Sequence, residues 1–248
     1  MIVVVPVDPP RDGLVLSALA DQSPLTASEA AALYEAAVAD VCRAVAASGG
    51  DLLVNYRDAE TLPETDADAD GDPEAEVRAL VVEALGEDAD VRLERQVGST
   101  RSARVGNTVT HLLEQEGAQS VGVLEPTAPL VARTEIDGAA MSLRRDDVVL
   151  GPSTGGSVYF AGFSAPIDFA DAYGTPELST LARRGADAGL GVGFAPMLPT
   201  IRTPAGLRET IAGLEARRAA GRAGGEATAA FVGELGLRIG ADGGLERE

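Results

Sequence analysis

Three places in the chain carry residue types that could do chemistry. The first is Asp66-Ala-Asp68-Ala-Asp70-Gly71-Asp72. Alternating Asp with Gly at the sixth position matches the opening of a calcium loop, where oxygen ligands wrap a hard cation. The twelfth position, where a bidentate Glu would close such a site, is Val77, and the preceding stretch lacks helical periodicity. The run therefore reads as a solvated acidic loop. The second place is His111, the only histidine, on a predicted helix with Glu114 three residues on. With one His and no Cys close in sequence, a zinc site would have to be mostly carboxylate. No Ser or Cys motif stands near for the imidazole to serve, so a packing or helix-surface role is expected. The third is Gly155-Gly156, which suits either close backbone approach to a sugar or phosphate or a tight turn into the next strand. A Gly-Lys-Ser/Thr phosphate loop is excluded, because the chain contains no Lys.

The elements that must position these residues follow from periodicity. Ile2–Val7 is an apolar run that reads as a buried strand, bounded by Asp8-Pro9-Pro10. Thr26 and Glu29 form a capping box for a helix from about Ala27, whose face of Leu33, Ala37, Val38, Val41 and Val45 runs until Gly49-Gly50. Cys42 lies beside that face and reads as packing. Asp51–Tyr56 is the next strand. Asp72 caps a helix with Pro73 in its first turn and Val77, Leu80, Val81, Ala84 and Leu85 on its core side. Further on, the pattern predicts strands at Val91–Leu93, Ser120–Leu124, Asp147–Leu150, Gly156–Phe163 and Leu190–Phe194. Helices are predicted over Arg104–Glu116, Ile136–Leu143, Thr175–Asp187 and Pro204–Arg218. Strands alternating with helices imply a single α/β domain with a mainly parallel sheet and helices on both faces. That domain spans residues 1–218. Residues 219–248 are expected to form a Gly-rich connection, a short helix near Ala227–Leu235 and an acidic tail, packed on the same domain or fraying from it.

Composition limits the partners. The 248 residues carry 20 Lys+Arg, all of them Arg, against 39 Asp+Glu, for a net charge of −19. At molar salt the Debye length falls to about 3 Å and repulsion between carboxylates is screened. A Lys-free acidic surface is thus expected of a halophile's protein, since Arg is weakly hydrated and forks onto carboxylates. Nucleic acid is not an expected partner, because no basic stripe is present to displace counterions. No apolar run is long enough to span a bilayer. The N-terminus lacks the basic segment and length of a secretory leader, and a lone Cys42 suits a reducing cytoplasm.

The order of four segments resembles the nucleotide-diphospho-sugar transferase superfamily with the glycosyltransferase-A fold. Within it, the likeness points to the branch with arsenosugar-type glycosyltransferase-like proteins and 2-phospholactate guanylyltransferases. The first strand runs into Pro9-Pro10-Arg11-Asp12-Gly13, then Ser23-Pro24-Leu25-Thr26 and an Ala/Glu-rich helix. Gln96-Val-Gly98 leads to Arg104-Val-Gly106-Asn107. Val121–Leu124 ends in Glu125-Pro-Thr127-Ala-Pro129-Leu130. Asp147-Val-Val-Leu-Gly151-Pro152-Ser-Thr154-Gly155-Gly156 leads into a strand, and Thr203-Pro204 opens a late helix.

The resemblance implies a nucleotide or nucleotide-sugar pocket at the carboxyl ends of the strands. It makes Pro10, Arg11, Asp12, Gly13, Gly155 and Gly156 candidate nucleotide-binding residues. It also implies transfer of a glycosyl or nucleotidyl group, with Mg2+ or Mn2+ neutralising the departing diphosphate. The chain departs from the pattern in one direction. Leu14-Val15-Leu16-Ser17-Ala18-Leu19 stands where basic residues are expected. Thr127, Leu130, Thr154, Thr200 and Arg202 stand where acids are expected. Glu125 and Asp137 are the nearest substitute metal ligands, and Arg11, Arg133 and Arg202 are candidates to meet an anion. The alternative is a catalytically silent relative that binds a ligand or a protein partner.

Overall fold

The computed structural model describes residues 1–63 and 71–247. Strand β1 (Ile2–Val7) is apolar because both of its sides are covered: Val3, Val5 and Val7 join one buried cluster and Val4 the other. It pairs in parallel with β2 (Asp51–Tyr56) on one side and β4 (Val121–Leu124) on the other. Strand β3 (Arg92–Arg95) lies outside β2. With β5 (Val148–Pro152), β6 (Val158–Phe163) and β7 (Val192–Phe194) they form a seven-stranded sheet, in the order β3-β2-β1-β4-β6-β5-β7. All run one way except β6, which is antiparallel to both β4 and β5.

Helices cover both faces. On one side α2 (Ala27–Ala46), α3 (Pro73–Leu85) and α5 (Arg133–Ser142) bury Val38, Val41, Val77, Val81 and Ile136 against Val3, Val5 and Val7. On the other, α4 (Arg101–Thr110) and α6 (Glu177–Asp187) bury Val105, Val109 and Leu181 against Val4, Leu53 and Leu150. Burial of this kind contributes about 1.5–3 kcal/mol per large apolar side chain, so these two clusters hold the sheet. The expected caps are in place. Thr26 Oγ1 accepts from the Glu29 N–H at 3.2 Å while Glu29 accepts from the Thr26 N–H at 2.8 Å. Asp72 caps α3, with Pro73 in its first turn. Cys42 is buried in α2, which pushes its thiol up to about 12 and fits a packing role. No helix among the described residues is long and apolar enough to cross a membrane.

Four features differ from expectation. The chain returns from β5 to β6 through a single 3-10 turn (Thr154–Gly156), with Gly155 at φ 74° and Gly156 at φ 78°. A parallel return needs a crossover of a dozen or more residues, so β6 has to run antiparallel. The helix expected from Arg104 begins one turn earlier, because Thr100 caps it by accepting from the Ala103 N–H at 3.1 Å. It closes in a π-turn over His111–Gln115, where His111 Nε2 lies 3.2 Å from Glu116 on the surface. A short helix, α1 (Ser17–Ala20), follows Leu16, whose φ is 50°.

Residues 219–247 fold back on the domain. After α7 (Pro204–Ala219), α8 (Glu226–Glu234) is capped by Asp40 of α2, which accepts from the N–H groups of Ala227 and Thr228 at 3.0 and 2.8 Å. The chain then forms a hairpin of β8 (Leu237–Ile239) and β9 (Leu245–Arg247), tied down by Arg247 to Glu29 at 2.5 Å. Val232 and Leu237 share a third buried cluster with Leu33, Ile201, Leu207 and Ile211.

Candidate functional site

From β1 the chain moves to β2 and β3 on one side, and to β4 on the other. The carboxyl ends of β1 and β4 therefore diverge, which leaves a crevice where open α/β sheets hold their ligands. A cleft of about 300 Å3 opens there. Its floor is Asp8 after β1 and Glu125-Pro126-Thr127 after β4, and one wall is Leu14–Ala18.

Three arginines from two segments line this cleft, and a fourth, Arg57, stands behind them against Asp8. Arg57 follows β2, with NH1 3.7 Å from the Asp8 carboxylate. Arg101 and Arg104 lie three residues apart on α4 and so project from one helix face. Arg202 precedes the Thr203 cap of α7. Each is held differently. Gln96, after β3, donates from Nε2 to the Asn55 carbonyl at 2.7 Å and accepts Arg104 Nε at 2.7 Å. Asn55 Oδ1 in turn accepts from Thr108 Oγ1 at 3.1 Å. This amide relay fixes the Arg104 guanidinium. Among the described residues its terminal nitrogens have no hydrogen-bond acceptor. Burial, with Arg57 and Arg101 close by, presses Arg104 below its ordinary value against the pull of Asp8.

Arg101 donates to Glu125, sits 3.4 Å from Glu177 and lies 4.8 Å from the centre of the Tyr173 ring. Burial pulls its guanidinium down, but Glu125 and Glu177 outweigh it and hold it above the usual range. Both of these acids are buried, and Glu177 also accepts from the Val158 N–H at 3.2 Å. Removing one partner of so buried a pair costs about 3–5 kcal/mol, whereas an exposed pair such as Arg78–Glu74 is screened by water and contributes little. Arg101 is therefore locked. Arg202 makes no hydrogen bond among the described residues, and its NH1 stands 3.6 Å from Glu177 and 4.0 Å from Glu125. Asp8 is half-buried, and burial raises its carboxyl above the ordinary range despite Arg57, Arg104 and Arg101.

No protein-family model and no curated protein matches the chain. Solved structures do. A crystal structure from Desulfovibrio desulfuricans G20, of a protein provisionally described as a nucleotide-diphospho-sugar transferase, superposes with a TM-score of 0.75 at 18% identity over 94% of each chain. A cytidylyltransferase from Leptospira borgpetersenii superposes with a TM-score of 0.51 at 7% identity, over 94% of this chain and 93% of that one. The chain has the nucleotide-diphospho-sugar transferase fold.

Within that fold the sequence-predicted residues separate. Pro10, Arg11, Asp12 and Gly13 stand outside the cleft wall, and Arg11 pairs with Glu76 of α3 at 2.7 Å. Gly155 and Gly156 make the β5–β6 turn and do not line the cleft. Glu125 is in the cleft. Asp137 is not, because it accepts from the Gly49 N–H at 2.9 Å at the opposite end of the sheet, where β2 begins, and pairs with Arg133 at 2.9 Å. The two proposed substitute metal ligands therefore do not converge. Leu130 is buried against Gly213, Thr154 donates to Glu209 at 2.6 Å, and Thr200 accepts from Ser153 at 3.4 Å. Of the arginines expected to meet an anion, only Arg202 reaches the cleft. Residues 66–70 of the acidic run lie outside the described residues.

Arg57, Arg101 and Arg104 were not singled out as site residues. A signal was present for two of them: Thr100 is an N-cap residue type, and a helix that starts after it puts Arg101 and Arg104 on one face. The polar Ser99-Thr100-Arg101-Ser102 run reads as a loop unless that cap is recognised.

Proposed function

We propose that the chain binds a nucleotide or nucleotide-sugar in the β1–β4 cleft and transfers a glycosyl or nucleotidyl group from it. One observation carries this reading. A chain of net charge −19 lines the cleft at the switch point of its sheet with three arginines, and Arg104 presents terminal nitrogens that nothing in the described chain accepts. Guanidinium groups match phosphate oxygens in geometry and charge. Leu14, Val15 and Ala18 supply an apolar wall against which a base or sugar face packs. In either transfer the bond to the departing phosphate oxygen breaks and negative charge grows on the leaving group. Fixed cations aimed at that point stabilise it without reorganising. The descriptions of the two structural neighbours, one provisionally a nucleotide-diphospho-sugar transferase and one a cytidylyltransferase, support a nucleotide ligand.

A second reading, a catalytically silent ligand-binding relative, is favoured by a different observation. Each acid of the site, Asp8, Glu125 and Glu177, faces an arginine, so none stands free to take a proton from an acceptor. Thermal-shift titration with GTP, CTP, UTP and UDP-sugars at molar KCl, followed by an assay for released pyrophosphate or nucleotide, separates the two. A ligand that binds only the native state must raise the melting temperature. Stabilisation with product release supports transfer, and stabilisation without it supports the silent relative. If no nucleotide shifts the melting temperature at saturation, either in molar KCl or at the lowest KCl that keeps the chain folded, the nucleotide site is refuted.

A further inference from the structure

The resemblance assigns a divalent cation to this cleft, and the side chains present do not fit one. Such a cation needs several carboxylate or carbonyl oxygens with free lone pairs around one point. Among the described residues no three His, Cys, Asp or Glu side chains gather within reach of one metal ion. The acids at the site are already engaged: Glu125 accepts from Arg101, Glu177 accepts from the Val158 N–H and faces both Arg101 and Arg202, and Asp8 faces Arg57. The positions where the resemblance calls for further acids hold Thr127, Leu130, Thr154 and Thr200, and Asp137 lies at the other end of the sheet. A divalent cation entering the cleft would meet guanidinium groups of its own sign.

We propose that Arg101, Arg104 and Arg202 supply counter-charge in place of a metal ion, so that the phosphates of the ligand are held by side chains alone. The proposal rests on the nucleotide reading above and extends it. Three features support it. The cleft is lined by Arg101, Arg104 and Arg202 against Asp8 and Glu125, a surplus of one positive charge (3 − 2) in a chain whose net charge is −19, and Arg57 and Glu177 beside it add one charge of each sign. The surplus is localised, because Arg104 has its Nε spent on Gln96 and its terminal nitrogens without an acceptor. The cations are also placed in advance. Gln96 and Asn55 fix Arg104, while Glu125, Glu177 and the Tyr173 ring fix Arg101, so little ordering remains when an anion arrives. Arg202, side chain 39% exposed and without a hydrogen bond, stands at the mouth to close on the phosphates.

The test is calorimetric titration of the intact chain at the lowest KCl that keeps it folded, with CTP, GTP, UDP-glucose and inorganic pyrophosphate, each in EDTA and in Mg2+ or Mn2+. The expected result is binding in EDTA that the metals do not strengthen. R104Q and R202Q are each expected to weaken it about tenfold or more, as loss of a charge-assisted hydrogen bond would. Circular dichroism checks that the variants fold, and Arg202, which no hydrogen bond ties to the fold, keeps the test valid if R104Q does not. Nucleotide binding that appears only with Mg2+ or Mn2+ overturns the proposal and leaves the nucleotide site standing. Binding in EDTA that both variants retain in full also overturns it. Pyrophosphate bound in EDTA through Arg104 with no nucleotide bound upholds the arginine site and removes the nucleotide reading. No binding of any of these anions removes both.

Discussion

Asp8 is the residue on which the charge of the cleft turns. It sits at the end of β1 with its N–H donated to Tyr34 Oη at 3.0 Å, and it faces Arg57, with Arg101 and Arg104 close by. Burial raises its carboxyl, the arginines pull it back, and burial wins. As an acid whose folded value lies above its unfolded one, Asp8 contributes stability in its protonated form, below the unfolded value. That contribution is lost as pH rises through the folded value. Its protonation therefore does not loosen the fold, and it adds one positive charge to the cleft. Anion affinity is expected to rise as pH falls through the Asp8 value, measured by pyrophosphate titration across the mildly acidic range. The D8N variant should bind more tightly at neutral pH and show a flattened profile, which separates this effect from titration of the ligand. A D8N profile as steep as the parent's would show that Asp8 is not the group responsible. None of this was readable in the sequence, where Asp8 appears only as the residue that ends a strand.

At the scale of elements, local signals that end in a cap were legible and signals that depend on where the chain goes next were not. The Thr26–Glu29 box and the Asp72-Pro73 start place α2 and α3 correctly because side-chain-to-backbone bonds are local. The direction of β6 depends on the length and glycine content of a turn, and the docking of α8 depends on Asp40, far away in sequence, accepting its first N–H groups. Neither leaves a periodic trace. The same holds for the site, since the carboxyl ends of the strands could be named in advance while the arginines that line it come from segments far apart in sequence. Arg202 depends most directly on one such long-range fit. It lies between Ile201, whose N–H donates to the Thr127 carbonyl at 2.9 Å, and the Thr203 cap of α7. Gly206 lets the first turn of α7 pass so close to the Thr200 carbonyl that a Cβ there would overlap the oxygen. Gly206→Ala is expected to cost about 1–3 kcal/mol, as overpacking does, and to weaken anion binding by displacing Arg202. Urea denaturation and pyrophosphate titration of the same variant measure the two effects. Loss of stability with unchanged affinity would show that Arg202 is placed independently of this contact.

For the molecule as a whole, surface and site answer salt in opposite directions. The described ion pairs are made by arginine with carboxylates, apart from the His111–Glu116 contact, and most lie on the surface. They leave a large excess of negative charge that repels itself when salt is low. Raising KCl to the molar range shortens the screening distance to about 3 Å, which relieves that repulsion, because compact states carrying a high net charge are destabilised by it. The melting temperature should therefore rise with KCl, as expected of a surface adapted to molar salt. The rise should shrink as pH is lowered toward the isoelectric point near 4.4, where there is no net charge left to screen. A rise that persisted undiminished at that pH would point to a general effect of salt on apolar burial. The cleft should behave oppositely. The proposed hold on phosphate is Coulombic and open to chloride competition, so anion affinity should fall over the same KCl range in which stability climbs. Scanning calorimetry and pyrophosphate titration along one KCl series test both signs together. Affinity that stays constant while the melting temperature climbs would mean that the ligand is held mainly by the apolar wall of Leu14, Val15 and Ala18, with the arginines only setting its orientation.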